Sequence, residues 1–139
     1  MFDHCLYFNT TALARAVEHE WTAAYAPFGL TPPQGFVLRV VLKQPGVLNR
    51  ELADALGIAR PTATRLVDGL IAKGLVERRP SADDGREWNL LPTNAARALA
   101  APLQAASTKV AHKLREHVGA QAFDSTVKAI REVRTALSD

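Results

Sequence analysis

Of the 139 residues only one is a cysteine, Cys5. A single thiol cannot close a disulfide within its own chain, and such sparing use fits a reducing compartment. No apolar run approaches the ~18 residues of a membrane-spanning helix. The opening residues lack a basic stretch followed by an apolar run, so no signal peptide is expected and the expected location is the cytoplasm. Tandem repeats, low-complexity tracts, a Gly-rich phosphate loop, a nucleophile elbow and a paired metal-ligand motif are all missing. These absences argue against an enzyme and imply no cofactor. His112 and Glu116 share a helix face at i, i+4, with His117 beside them. Two ligands fall short of the three or four a zinc site takes, so solvated helix surface is the better reading and no metal is expected.

What is present suits one folded domain, residues 1–139. Hydrophobic residues make up 47% of the chain, enough for a core, and the net charge of +3 permits a nucleic-acid partner without demanding one. Leu13, Val17, Trp21, Ala24 and Phe28 recur at spacings of four and three, which predicts an amphipathic helix over about 6–27. Thr31 reads as an N-cap with Pro32 just inside, opening a second helix that runs to about Lys43 and stops at Pro45-Gly46. A short third helix follows, with Asn49 as its expected cap, Leu52, Ala53 and Leu56 facing inward, and Gly57 at its end. The segment "RPTATRLVDGLIAKG" begins a fourth helix three residues later, closed by Gly74. Two short helices about a Gly-containing turn read as helix-turn-helix.

Next comes a hairpin: Val76–Arg79 leads in and Glu87–Leu91 leads out, around a polar loop longer than chain reversal requires. Thr93 then caps a long helix with Pro102 inside it, where a kink is expected because proline removes a donor and crowds the Ala98 carbonyl. Gly119 breaks the chain before a last helix carrying Phe123, Val127, Ile130, Val133 and Leu137. The fold class is therefore mainly α, a winged helix-turn-helix of about six helices plus a two-stranded β-wing. Residues 30–92 form the winged-helix lobe. Residues 1–29 and 93–139 carry apolar stripes that the lobe cannot cover, which implies a homodimer built from the two chain ends.

At 100° per residue, Ala63, Leu66, Val67 and Leu70 of the fourth helix share the inner arc. Pro61, Arg65, Asp68, Gly69 and Ala72 lie opposite, flanked by Thr62 and Thr64. Small residues let a helix backbone approach the major groove of double-stranded DNA, while arginine and threonine reach phosphates and base edges. Arg65 is the candidate for a guanine contact. In the hairpin loop, Arg86 suits a narrow, A·T-rich minor groove. Arg78 and Arg79 alternate faces, one free to pair inward, the other to meet phosphate. Asp84 reads as a structural acid that holds the loop. An ordinary solvated face is the competing reading of each residue taken singly.

Taken together, "GLTPPQGFVLRVV", "ELADALGIARPTATRLVDGLIAKGLVERRPSADDGRE" and Thr93 resemble the MarR family of transcription regulators. The resemblance implies a homodimeric repressor that binds a pseudo-palindromic operator and is released by a small effector. The outer face of the fourth helix and the wing together give an expected DNA-binding set of Arg60, Thr62, Thr64, Arg65, Arg79 and Arg86, and the resemblance implies that Arg86 is the wing arginine that enters the minor groove. It also implies an Asp68–Arg78 pair and an Asp84-x-Arg86 element supporting the wing. The sequence departs from the family pattern at Ala59, where a serine or threonine usually caps the recognition helix. It departs again at Asp84-Gly85-Arg86, which has one cation fewer, and at Pro92-Thr93-Asn94-Ala95-Ala96.

Family members respond to small aromatic or phenolic ligands or, through a cysteine in the first helix, to peroxide. Trp21, Tyr25, Phe36 and Arg39 are residue types that stack and charge-pair with an aromatic acid. Plain core is the alternative for Trp21 and Phe36, and Arg39 could pair with Glu18 or Glu20. Cys5, next to His4, keeps a redox-responsive regulator as an alternative function, although a thiol needs a lowered pKa to react quickly. The second alternative is a winged helix that binds protein, for which an apolar or acidic outer face on the fourth helix would be expected.

Overall fold

A computed structural model describes residues 1–83 and 85–138. Six α-helices and a small antiparallel sheet alternate along the chain: α1 (Leu6–Tyr25), α2 (Pro32–Lys43), β1 (Val47–Leu48), α3 (Asn49–Leu56), α4 (Arg60–Ala72), β2 (Val76–Pro80), β3 (Trp88–Pro92), α5 (Asn94–Val118) and α6 (Ala120–Leu137). Asp84 of the hairpin lies outside the described residues, so its expected role in holding the loop has no structural counterpart here.

Helix boundaries follow local chemistry. α1 ends at Tyr25 and tightens into a 3₁₀ turn, Ala26–Phe28, before Gly29 at φ 68°. Pro27 brings no amide hydrogen, which closes the α-helix short of the predicted residue 27. Thr31 caps α2 reciprocally: its hydroxyl accepts from the Gln34 amide, and the Gln34 side chain accepts from the Thr31 amide. Asn49 is not the cap of α3 but its first residue. Leu48 precedes the helix, and the Glu51 carboxylate accepts from the Leu48 amide at 2.9 Å. Asn49 instead reaches the carbonyl of Arg60, tying the starts of α3 and α4 together. Thr93 caps α5 by accepting from the Ala96 amide. Pro102 sits inside α5 without ending it.

The sheet has three strands, ordered β1-β3-β2, where two were expected. β1 pairs Val47 with Leu90 and Leu48 with Asn89, so the hairpin is stitched at its base to the chain entering α3. The Asn89 side chain adds a bond to the Gly46 carbonyl at 2.6 Å.

The core is a single cluster. Tyr25, Val37, Leu38, Val41, Leu52, Val67, Leu70, Leu90 and Leu103 are fully buried in it, drawn from α1 to α5 and β3. Tyr25 carries the core's polar handle. Ser107 donates to the Leu103 carbonyl at 2.8 Å, so its single proton is used and the Tyr25 hydroxyl donates to Ser107 at 2.7 Å. The ring lies against Gly35 so closely that a Cβ there would sit 2.2 Å from Tyr25 Cε2.

α6 contributes no buried residue. Val127, Ile130, Val133 and Leu137 are exposed along it, as are Leu6, Tyr7 and Phe8 at the start of α1. The two sets meet in an apolar groove of about 490 Å³ lined by Leu6, Tyr7, Ile130, Val133 and Leu137. A two-pronged Arg115–Asp124 ion pair, at 2.9 and 3.2 Å, holds α5 to α6 across the turn.

Candidate nucleic-acid interface

α4 buries Ala63, Val67 and Leu70 and exposes Pro61, Thr64, Arg65, Asp68 and Ala72. Gly69 is the exception to the expected outer arc. It faces α2, where a Cβ would stand 2.9 Å from the Gln34 side-chain nitrogen. Ala59 occupies the N-cap position and makes no side-chain cap bond, so the first-turn amides of α4 have no side-chain cap from it. Arg65 reaches Thr62 at 3.4 Å, and Thr64 donates to the Arg60 carbonyl at 3.1 Å, as a threonine one turn into a helix commonly does.

The alternation along β2 resolves which arginine turns inward. Arg78 donates to Asp68 of α4. Arg79, on the other face, is exposed and stands 3.6 Å from Glu77. From the opposite strand, Glu87 accepts from Arg50 of α3 at 2.8 Å. The wing is thus held to the helix-turn-helix by two ion pairs, one to each helix. Lys73 is used internally as well, donating to the Gly29 carbonyl and, at 2.9 Å, to Gln34. Two acids of this region therefore have partners: Asp68 has Arg78 and Glu77 has Arg79.

Between α3, α4 and the wing lies a concavity of about 330 Å³. Arg50, Arg60, Arg78 and Arg86 line it, with Asn49, Thr64 and Trp88, against one carboxylate, Glu87. Cations focused in a concave surface raise the local potential for an anion. Of the DNA-binding set expected from sequence, the concavity unites Arg60, Thr64 and Arg86. Thr62 and Arg65 lie farther round α4, and Arg79 stands apart on β2. Arg50 and Trp88 were missed. Neither carries a local signal, because their neighbours are supplied by chain tens of residues away.

The residues expected to hold a ligand also cluster. The rings of Trp21 and Phe36 lie 5.1 Å apart, those of Trp21 and Tyr25 5.5 Å apart, and the Arg39 guanidinium sits 5.2 Å over the Phe36 ring. Trp21 and Phe36 open onto an apolar pocket of about 580 Å³ between α1, α2 and the α3–α4 turn. Tyr25 does not, being fully buried beneath them. Arg39 pairs with neither Glu18 nor Glu20. It donates to the Tyr25 hydroxyl at 3.4 Å and faces a separate groove with Lys43 and Gln104. Glu20 is held by Lys113 at 2.7 Å, and that bond keeps its carboxyl below the usual range.

Cys5 is exposed at the N-cap of α1. His112 and Glu116 form an exposed pair at 3.1 Å, and no third ligand joins them among the described residues. Among these residues no helix is long and apolar enough to cross a membrane.

A model of the MarR family matches residues 28–87, which span α2 through the tip of the wing. Over those residues the chain resembles the MarR family. Solved structures extend the likeness beyond the matched lobe. The transcriptional repressor CouR, bound to a 23-mer DNA duplex, is 28% identical, covers 96% of this chain and 94% of its own, and superposes with a TM-score of 0.86. PcaV from Streptomyces coelicolor, in complex with its natural ligand, is 21% identical with coverages of 99% and 96% and a TM-score of 0.88. MepR from S. aureus, in complex with DNA, is 18% identical with coverages of 96% and 99% and a TM-score of 0.85. The last two show the shared fold, including α1, α5 and α6. The MarR family is one of transcriptional regulators, not of enzymes.

Proposed function

We propose that this chain is a DNA-binding regulator of the MarR family that acts in the cytoplasm as a homodimeric repressor. α4 enters the major groove, Arg86 of the wing reaches the minor groove, and a small aromatic ligand in the α1–α2 pocket releases the DNA. The observation that carries the reading is the concavity where Arg50, Arg60 and Arg86 converge beside the outer face of α4. An ordinary solvated face would not gather cations from α3, α4 and a wing into one concave surface.

Homodimerisation rests on the uncovered apolar stripe of α6 and the start of α1. A dimer joined there would present two α4 helices, which suits an operator of two half-sites one helical turn apart. Ligand release rests on the pocket's walls. They come from α1, in the expected dimerisation region, and from the α3–α4 turn, so an occupant touches both lobes. Selection of bound duplexes from a random library tests the reading: it predicts a pseudo-palindrome with half-sites about 10 base pairs apart. Recovery of unrelated sequences would count against it.

A further inference from the structure

The pocket that opens between the lobes has a definite charge character. Its volume, about 580 Å³, lies in the range of sites for small organic molecules. Leu56, Ile58 and Leu66 wall it from the helix-turn-helix, and Trp21 and Phe36 from the other side. Among the described residues one ionisable side chain lines it, Glu18 of α1. Glu18 is exposed at the margin, and among the described residues no ion pair neutralises it.

Among the described residues no cation lines this pocket. Arg39, which from sequence looked like the partner of a carboxylate, lies across Phe36 and belongs to the other groove. Arg15, one turn before Glu18 on α1, is exposed and does not line the pocket either. An aromatic acid placed here would hold its carboxylate near another carboxylate, with no compensating charge in the wall. A cation would meet the reverse: an opposite charge, Glu18, and the ring of Trp21, the aromatic side chain that holds cations best.

We infer that this pocket takes an organic cation, an apolar body carrying one amine or quaternary ammonium, in preference to an aromatic carboxylate. The inference rests on the ligand-release reading only for its consequence. The pocket's preference between charges stands on its walls.

The test is titration calorimetry with three probes built on one ring: (2-naphthylmethyl)trimethylammonium, its neutral isostere 2-neopentylnaphthalene, and 2-naphthoate. The ammonium binds tightest to the wild type. Glu18→Gln weakens it about fivefold, the scale of one partly exposed charge contact, and leaves the neutral analogue unchanged. Arg39→Gln leaves the ammonium unchanged. Naphthoate binding as tightly as the ammonium, ammonium binding indifferent to Glu18→Gln, or no binding of any probe would each overturn the inference. The same probes added to a protein–DNA complex separate it from the reading it extends. Glu18-dependent ammonium binding without release of DNA leaves the pocket's preference standing and sinks ligand release. Release by naphthoate and not by the ammonium does the opposite.

Discussion

Arg50 of α3 donates to Glu87 of the wing at 2.8 Å, across 37 positions of sequence. The pair places a carboxylate where a DNA phosphate would otherwise be the natural partner of that arginine. It also fixes the residue immediately after Arg86. Both partners keep access to solvent, so the bond adds little to stability, at most about 1 kcal/mol. Its effect is on where the wing points and on how much positive charge the concavity offers.

Glu87→Gln therefore has two separable consequences. It leaves Arg50 available to phosphate, so affinity for scrambled duplex rises about threefold and the salt slope steepens by about 0.9 per arginine recruited. It also loosens the wing, so the preference for the operator over scrambled duplex falls. Anisotropy titrations on the two duplexes measure both. Unchanged affinity for scrambled DNA would show that Glu87 does not restrain Arg50.

The two arginines proposed to read DNA have different signatures. Arg65→Ala costs about 1–3 kcal/mol and relaxes base preference at one position per half-site. Arg86→Ala weakens binding mainly to operators with A·T-rich flanks, where the narrow groove draws the guanidinium. Binding by Arg65→Ala indistinguishable from the wild type removes α4 from the major groove. Equal losses on A·T-rich and G·C-rich flanks remove Arg86 from the minor groove.

Gly35 is required by Tyr25. A methyl group at position 35 would overlap the tyrosine ring, with contacts at 2.2 and 2.4 Å, and the ring cannot retreat without breaking its bond to Ser107. Gly35→Ala destabilises the fold by about 2–3 kcal/mol, visible as a lower midpoint in thermal unfolding. An unchanged midpoint would mean the core yields there at no cost.

The apolar face of α6 is the proposed dimer face. Val133→Glu places a charge in the groove between α1 and α6, so sedimentation finds wild-type dimers and variant monomers. A wild type that sediments as a monomer at micromolar concentration contradicts the homodimer.

Acid weakens the α5–α6 turn. The bond from Arg115 holds the Asp124 carboxyl below its ordinary value. Its stabilising contribution is thus present above the unfolded-state value of about 3.9 and is lost as pH falls through the folded one. Between pH 5 and 3 the wild type should lose more stability than Asp124→Asn. Parallel losses would assign the acid sensitivity elsewhere, first to Glu20 and Lys113.

Much of this architecture is legible from short-range chemistry. Thr31, Gly57, Gly74 and Thr93 each act within a turn of themselves, so helix starts and stops follow from sequence. The inner arc of α4 follows from its period. What stayed hidden depends on distant chain. β1 is two residues long and exists because β3 lies beside it. Asn49 has the chemistry of a cap, yet the Arg60 carbonyl takes its side chain. Gly69 falls near the outer arc by angle but meets Gln34 of α2. Arg39 looked like a charge awaiting an anion because nothing near it in sequence reveals Tyr25, 14 residues earlier, as its acceptor.

The most direct measurement is the binding of the selected duplex and a scrambled one by fluorescence anisotropy across a salt series. The account predicts tighter binding to the selected duplex, with affinity falling steeply as salt rises because several arginines displace counterions. Equal, weak binding to both duplexes at every salt concentration would contradict it.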